Sequence, residues 1–133
     1  MSKDLLERTR QRVSDDKYAT SVTGVSIVDV EENYAECELV HDQRHYNAAG
    51  IIMGGAIFTL ADFCFAVAAN WKEFEYVSVS SSITYLNASR GTKLIAKSKC
   101  LKLGKKNCCF EIAISDDMEK EIAVVVINGY KTV

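Results

Sequence analysis

The sequence predicts an α+β domain in which a curved antiparallel sheet wraps one buried central helix, and three observations carry that expectation. From Ala48 to Trp71 the only charged residue is Asp62. A helix that is apolar nearly all round has to be enclosed, because docking by a single face would leave the rest in water. From Tyr76 onward the pattern turns strand-like in four successive runs. The loops Leu103-Gly104-Lys105-Lys106-Asn107 and Asp116-Asp117-Met118-Glu119-Lys120 have hairpin composition, which joins the last three runs into an antiparallel meander.

The elements follow in order. Within residues 1–16, Leu5, Leu6, Thr9 and Val13 recur at helical spacing between charges, predicting a short amphipathic helix over about Lys3 to Ser14. Val22 to Val30 is rich in β-branched residues, and Ala35, Cys37 and Leu39 alternate with Glu36 and Glu38. These two runs pair as a hairpin through Glu31-Glu32-Asn33. The central helix occupies residues 53–71, its start fixed near Met53 by Gly54 and Gly55. In the run Tyr76 to Leu86, Val77, Val79, Ile83 and Tyr85 take one side, with Ser78, Ser80, Ser82 and Thr84 on the other. Leu94 to Leu103 sets Leu94, Ala96 and Cys100 against Lys97 and Lys99. Cys108, Phe110, Ile112 and Ile114 share a face of the next run, and Ile122 to Ile127 is apolar throughout, as a central strand covered on both faces should be. With no proline, repeat or low-complexity linker, residues 1–133 read as a single domain.

Composition narrows the function classes. Sixteen lysines and arginines stand against 18 acids, which argues against nucleic acid or an anionic membrane as the main partner. The segment Met1 to Arg12 has no apolar stretch and carries acids, so the expected location is the cytoplasm. Five cysteines without a Cys-x-x-Cys pair fit buried, reduced thiols in that compartment. Asp62 at the centre of a membrane span would cost about 2.5–3.5 kcal/mol. The segment also holds Gly50, Gly54, Gly55 and Asn70, so a buried helix is the better reading. His41 and His45, four apart, lack a helical pattern or further ligands; they read as loop residues, with no metal and no cofactor implied. His45 and Tyr46 border a possible site entrance through Asn47.

The motif Asn47-x-x-Gly50-x-x-Met53-Gly54-Gly55-x-x-x-x-Leu60-Ala61-Asp62, with Asn70 closing the helix, resembles the hot-dog fold thioesterases of the PaaI (phenylacetate pathway) type. Ile83-Thr84-Tyr85-Leu86, Gly91, Gly104-Lys105 and the final strand fall where that family places its sheet, so the likeness spans most of the chain. The resemblance implies an acyl-CoA thioesterase built as a homodimer or a dimer of dimers. It further implies Asp62 as nucleophile or general base, Gly54 as oxyanion donor and Asn47 as an active-site polar group. One position departs from the family pattern: Met53 stands where a histidine usually precedes the glycine pair. Methionine cannot donate a hydrogen bond. That loss counts against a hot-dog dehydratase and predicts reduced activity, altered substrate choice or binding without turnover.

Physical chemistry supports parts of this picture independently. Backbone N–H groups at a helix start lack intrahelical partners and attract negative charge. Glycine leaves room there for a substrate carbonyl. Such a donor is typically worth about 2.7–4 kcal/mol of barrier; a tight helix start that lets backbones pack closely is the alternative. Asp62 lies eight residues after Gly54, about 12 Å along a straight helix. If both act on one substrate they must come from different subunits, which predicts a dimer with two symmetric sites. The alternative for Asp62 is a structural carboxylate that caps backbone or pairs with a partner helix.

From Arg90 to Lys106 there are seven basic residues and no acid, a local field suited to coenzyme A phosphates. Arg90, Lys105 and Lys106, at loop positions, are the phosphate candidates, whereas Lys97 and Lys99 read as a solvated outer face. Met53, Gly55 and Ser78 complete the candidate substrate-binding set; the resemblance implies a hydroxyl near Ser78 that orients the attacking water, but Ser80 and Ser82 share its face, and all three read more simply as half-exposed strand residues. The rival from another class is a non-catalytic acyl-CoA binding or sensing protein using the same pocket.

Overall fold

Strand order decides what the central helix lies against. A computed structural model of the chain describes residues 2–132, leaving Met1 and Val133 of the expected 1–133 domain outside the described residues. Six strands form one antiparallel sheet in the order β1-β2-β4-β5-β6-β3. They are β1 (Val25–Glu31), β2 (Tyr34–Val40), β3 (Tyr76–Tyr85), β4 (Lys93–Leu103), β5 (Asn107–Asp116) and β6 (Glu121–Lys131). The helices are α1 (Ser2–Arg12) and α2 (Gly54–Ala69).

The expected hairpin and meander both form. Glu31 pairs with Tyr34 across a turn in which Asn33 takes φ +55°, a conformation asparagine tolerates better than most residues. β4, β5 and β6 pair in succession, and β6 lies between β5 and β3, as its continuous apolar run requires. The chain leaves β2, runs through α2, and places β3 at the far edge of the sheet before β4 returns beside β2.

Between α1 and β1, residues Tyr18–Thr23 wind into one π-helical turn that Gly24 ends at φ +90°. The strand therefore begins at Val25 rather than Val22. β-branched Val22 and Thr23 imitate strand composition, and nothing local separates a single wide turn from an extended start.

α2 packs Ile57, Leu60, Phe63, Cys64, Phe65 and Val67 into the core, where the Phe65 and Phe110 rings meet edge-on at 5.6 Å. Asn70 closes the helix: its Oδ1 accepts from the backbone N–H groups of Glu75 and Tyr76, each at 2.8 Å. Enclosure is incomplete, however. Gly55 is exposed, and Phe58, Thr59, Asp62 and Ala66 are only half-buried; Gly55, Thr59, Asp62 and Ala66 form one stripe at helical spacing. No helix of the described residues is long and apolar enough to cross a membrane.

β3 corrects the expected face assignment. A bulge at Val79 shifts the register, so that Ser78 pairs with Gly129 while Ser80 pairs with Asn128. Gly129 is buried against Phe65, and Asn128 is exposed and donates to Ser80 Oγ at 3.1 Å. Directly opposed residues share a face. Ser78 therefore shares the helix-side face with Ile83 and Tyr85, opposite to Ser80, Ser82 and Thr84. The extra residue of a bulge breaks the period of two that the sequence pattern assumed.

Candidate active site

The start of α2 is held by a loop whose polar groups fold it back on itself. His45, 4 % exposed, accepts the Asp42 N–H at Nδ1 (3.0 Å) and lies 2.6 Å from the Thr23 carbonyl through Nε2. A carbonyl only accepts and a backbone N–H only donates, so this histidine is the neutral Nε2–H tautomer with both nitrogens engaged. It pins the loop to the π-helical turn, and its own carbonyl takes the Met53 N–H at 2.8 Å. Among the described residues no group of His, Cys, Asp and Glu is arranged to hold a metal ion.

Asn47 Oδ1 accepts the N–H groups of Ala49 (2.9 Å) and Ile51 (3.3 Å), shaping a turn in which Gly50 takes φ +82°. This directs the chain into Met53, the N-cap of α2, which has an extended backbone and provides no side-chain cap. Ala56 and Ile57 donate to the Met53 carbonyl. Among the described residues the Gly54 and Gly55 N–H groups meet no acceptor, so two donors stand free at the positive end of the helix dipole.

Gly54 borders a cleft of about 440 Å³ lined also by Asn47, Ile52, Ile57, Tyr85 and Ile122 among others, whereas Gly55 lies on the other flank. Tyr85 was not anticipated as a site residue. Its hydroxyl donates to the Gly54 carbonyl at 3.1 Å, and a Cβ on Gly54 would come within 2.8 Å of that oxygen. A side chain at Gly54 would push the end of the Tyr85 ring aside and disturb this bond, so glycine preserves a contact with an aromatic ring 31 residues away in the chain, a signal invisible to local pattern.

The far wall of the cleft, Asn87 to Ser89, is anchored by Asp116. Its Oδ2 accepts from Ser89 Oγ (3.1 Å) and the N–H groups of Arg90 (3.0 Å) and Gly91 (3.2 Å), while Oδ1 accepts from Met118 and Lys120 N–H, each at 2.9 Å. Burial pushes this carboxyl up, but the N–H groups of Lys120, Arg90 and Met118 and the Ser89 hydroxyl outweigh it and hold the pKa at about 2. Sequence composition marked Asp116 only as a turn residue.

On the other flank of the helix start, Met53 and Gly55 line a second cleft with Tyr18, Arg44, His45 and Thr59. Tyr18 and Thr59 also line a third, which contains Asp62 and Asp16. The two share a groove along the uncovered stripe of α2. Asp62 is half-buried; burial raises its pKa above the ordinary carboxylate value, and the nearby Asp16 charge raises it further. A carboxylate held in its basic form against this penalty is a better proton acceptor than a solvated one.

The remaining candidates are dispersed. Gly54 and Asn47 share one cleft, Met53 and Gly55 the next, and Asp62 the third. Arg90 is exposed beside the first cleft, its backbone tied to Asp116. Lys105 and Lys106 are exposed on the β4–β5 hairpin, where the Lys106 carbonyl accepts from Lys131 N–H. That is the end of the sheet where β3 begins, whereas Gly54 adjoins the end where β3 finishes. Ser78 lies near the beginning of β3 on the helix side. Lys93 of the basic run is engaged by Glu38 at 3.1 Å.

Comparison with known proteins agrees with this architecture. A sequence profile of the thioesterase superfamily matches residues 49–123. An Archaeoglobus fulgidus protein that bears an esterase name is 32 % identical over 128 residues, covering 96 % of this chain and 83 % of its own length. The acyl-coenzyme A thioesterase PaaI of Escherichia coli is 26 % identical over 102 residues, covering 76 % of this chain and 73 % of that protein. Among solved structures, E. coli PaaI superposes with a TM-score of 0.87 at 21 % identity, covering 97 % of this chain and 96 % of the other. A thioesterase from Streptococcus pneumoniae solved with coenzyme A gives a TM-score of 0.82 at 20 % identity, covering 90 % and 96 %. The wrapped-helix architecture is the hot-dog fold, and the chain belongs to the thioesterase superfamily, a family of thioester hydrolases.

Proposed function

We propose that the protein hydrolyses an acyl-CoA thioester to a carboxylate and free coenzyme A, in a site shared between two subunits. The observation that carries this reading is the unpartnered N–H of Gly54 beside an apolar cleft, combined with a basic Asp62 on the same helix. The Gly54 N–H donates a hydrogen bond to the thioester oxygen as negative charge develops on it. Asp62 of the other subunit attacks the thioester carbon or activates water for that attack. Asn47 lies on the Gly54 side and offers its Nδ2 to the substrate, its Oδ1 being used by the turn.

A homodimer follows from the 12 Å separation and is supported by the exposed edge. Every residue of β3 from Val77 to Ser82 is exposed in the single chain, with Val77 51 % and Val79 64 % accessible. An edge with unpaired backbone groups and apolar side chains is a template for a second copy. Antiparallel pairing of two such edges brings the beginning of one β3 beside the end of the other. The hairpin carrying Lys105 and Lys106 of the partner subunit then approaches the Gly54 cleft from the side opposite Arg90, so these cations would hold the coenzyme A phosphates. Ser78 and the Met53–Gly55 flank complete the contacts.

Release of free thiol from short, medium, long and aromatic acyl-CoAs, with Asp62→Asn as control, tests the reading. Saturable binding with no Asp62-dependent release would establish a binding protein instead. A chain that sediments as a monomer while hydrolysing thioesters would overturn the shared site.

A further inference from the structure

We infer that Tyr85 is a positioning residue for the oxyanion donor Gly54, fixing the peptide that follows it through the hydrogen bond from its hydroxyl to the Gly54 carbonyl. This rests on the proposed role of the Gly54 amide and extends it to a residue that does not itself touch the reacting carbonyl.

The geometry at the helix start separates two peptide units. The Met53–Gly54 unit supplies the Gly54 N–H and is held by its carbonyl, which accepts from Ala56 at 3.0 Å and Ile57 at 3.3 Å. The Gly54–Gly55 unit supplies the Gly55 N–H, and its carbonyl receives the Tyr85 hydroxyl at 3.1 Å. Two consecutive glycines lack the side-chain packing that restrains other residues, and Met53 provides no cap. The Tyr85 hydroxyl adds an external clamp to those contacts. The clamp is close: the Tyr85 ring carbon Cζ and hydroxyl oxygen lie 2.9 and 2.8 Å from where a Cβ of Gly54 would sit.

Tyr85 has little other structural duty. It is 51 % exposed at the last position of edge strand β3, opposite Ala123, and it lines the same cleft as Gly54 and Asn47. A tyrosine half exposed in the single chain, with its hydroxyl bonded to a helix-start carbonyl, contributes orientation more than burial to its own subunit. The bond to the Gly54 carbonyl holds the peptide after Gly54, and the contacts of the Met53 carbonyl hold the one before it, so the residue whose N–H borders the cleft is fixed on both sides; preorganised donors of this kind act without reorganisation during the reaction.

The test uses Tyr85→Phe, which keeps the ring and removes only the hydroxyl. Two inhibitors are compared on the full-length protein: a coenzyme A trifluoromethyl ketone, whose hydrate, once it has lost a proton to Asp62, carries an oxyanion at the tetrahedral carbon, and the matching thioether, which has no such oxygen. Wild type should prefer the ketone. Tyr85→Phe should lose about tenfold of that preference and a similar factor in kcat, with KM, thioether binding and melting temperature unchanged; a direct donor would cost more, about 10²–10³. An undiminished preference in Tyr85→Phe overturns the role of Tyr85 while leaving the Gly54 reading intact. A wild type without preference overturns both. Equal weakening of both inhibitors identifies Tyr85 as a general pocket wall and also overturns the proposal.

Discussion

Gly54 and Asp62 lie on one helix, α2, with seven residues between them, so about 12 Å of helix axis keeps them from ever meeting at one carbonyl within a chain. Subunit complementation follows. Asp62→Asn and Gly54→Val chains, each inactive alone, should regain activity when unfolded together and refolded. Random pairing makes half the molecules mixed, each with one intact site of two, so recovery should reach about a quarter of wild type. Recovery of nothing, with mixed dimers demonstrated by mass, would contradict the shared site.

Asp62 should set the acid limb of the rate profile. Burial, with the Asp16 charge, raises its pKa, so kcat should fall on acidification at a pH above the ordinary carboxylate range of about 4. Asp62→Asn should reduce kcat by about 10²–10⁴. The stability effect has the opposite sign. A carboxyl with a raised folded-state pKa binds more protons when folded, so stability is highest below the unfolded value and declines as pH rises through the folded one. Urea midpoints at fixed chain concentration should therefore favour Asp62→Asn over wild type at pH 7.5 and converge near pH 3.

Asp116 behaves the other way. Its native pKa of about 2 lies below the ordinary 3.8, so its contribution is present above about pH 4 and disappears as pH falls towards 2. Asp116→Ala leaves several backbone donors of the 89–91 and 118–120 segments without their acceptor, at a cost of about 2–3 kcal/mol. Chemical denaturation should show the loss at pH 7 and a much smaller one near pH 2. Because the 87–89 segment walls the Gly54 cleft, KM should rise as well.

Thr9 offers a gain. It is 0 % exposed, and its hydroxyl has no hydrogen-bond partner among the described residues. Thr9→Val keeps the shape, exchanges the hydroxyl for a methyl and has comparable helix propensity. Thermal unfolding should show stabilisation of about 1 kcal/mol.

Patterns of period two and 3.6 were enough to read β1, β2, the β4–β6 meander and α2, because each pays off locally along one segment. They failed where a single residue interrupts the period. The bulge at Val79 sent Ser78 to the other face, and the π-helical turn at Tyr18–Thr23 displaced the start of β1. The site divides similarly. Gly54, Asp62 and Asn47 are legible from spacing within one continuous motif, whereas Tyr85 and Asp116 act on segments 31 and 26 residues away through hydroxyl and carboxylate contacts. Spacing says nothing about such pairs.

The sequence by itself determined an apolar helix opened by two glycines and bearing a solitary carboxylate, together with a strand-rich remainder, since composition and periodicity are properties of neighbours in the chain. Only the tertiary structure decided that β3 goes to the sheet edge, that the Asp62 stripe stays uncovered, and that Gly54 borders a different cleft from Asp62. These depend on which distant surfaces compete to be buried, and that competition is settled by packing of the whole chain rather than by any segment of it.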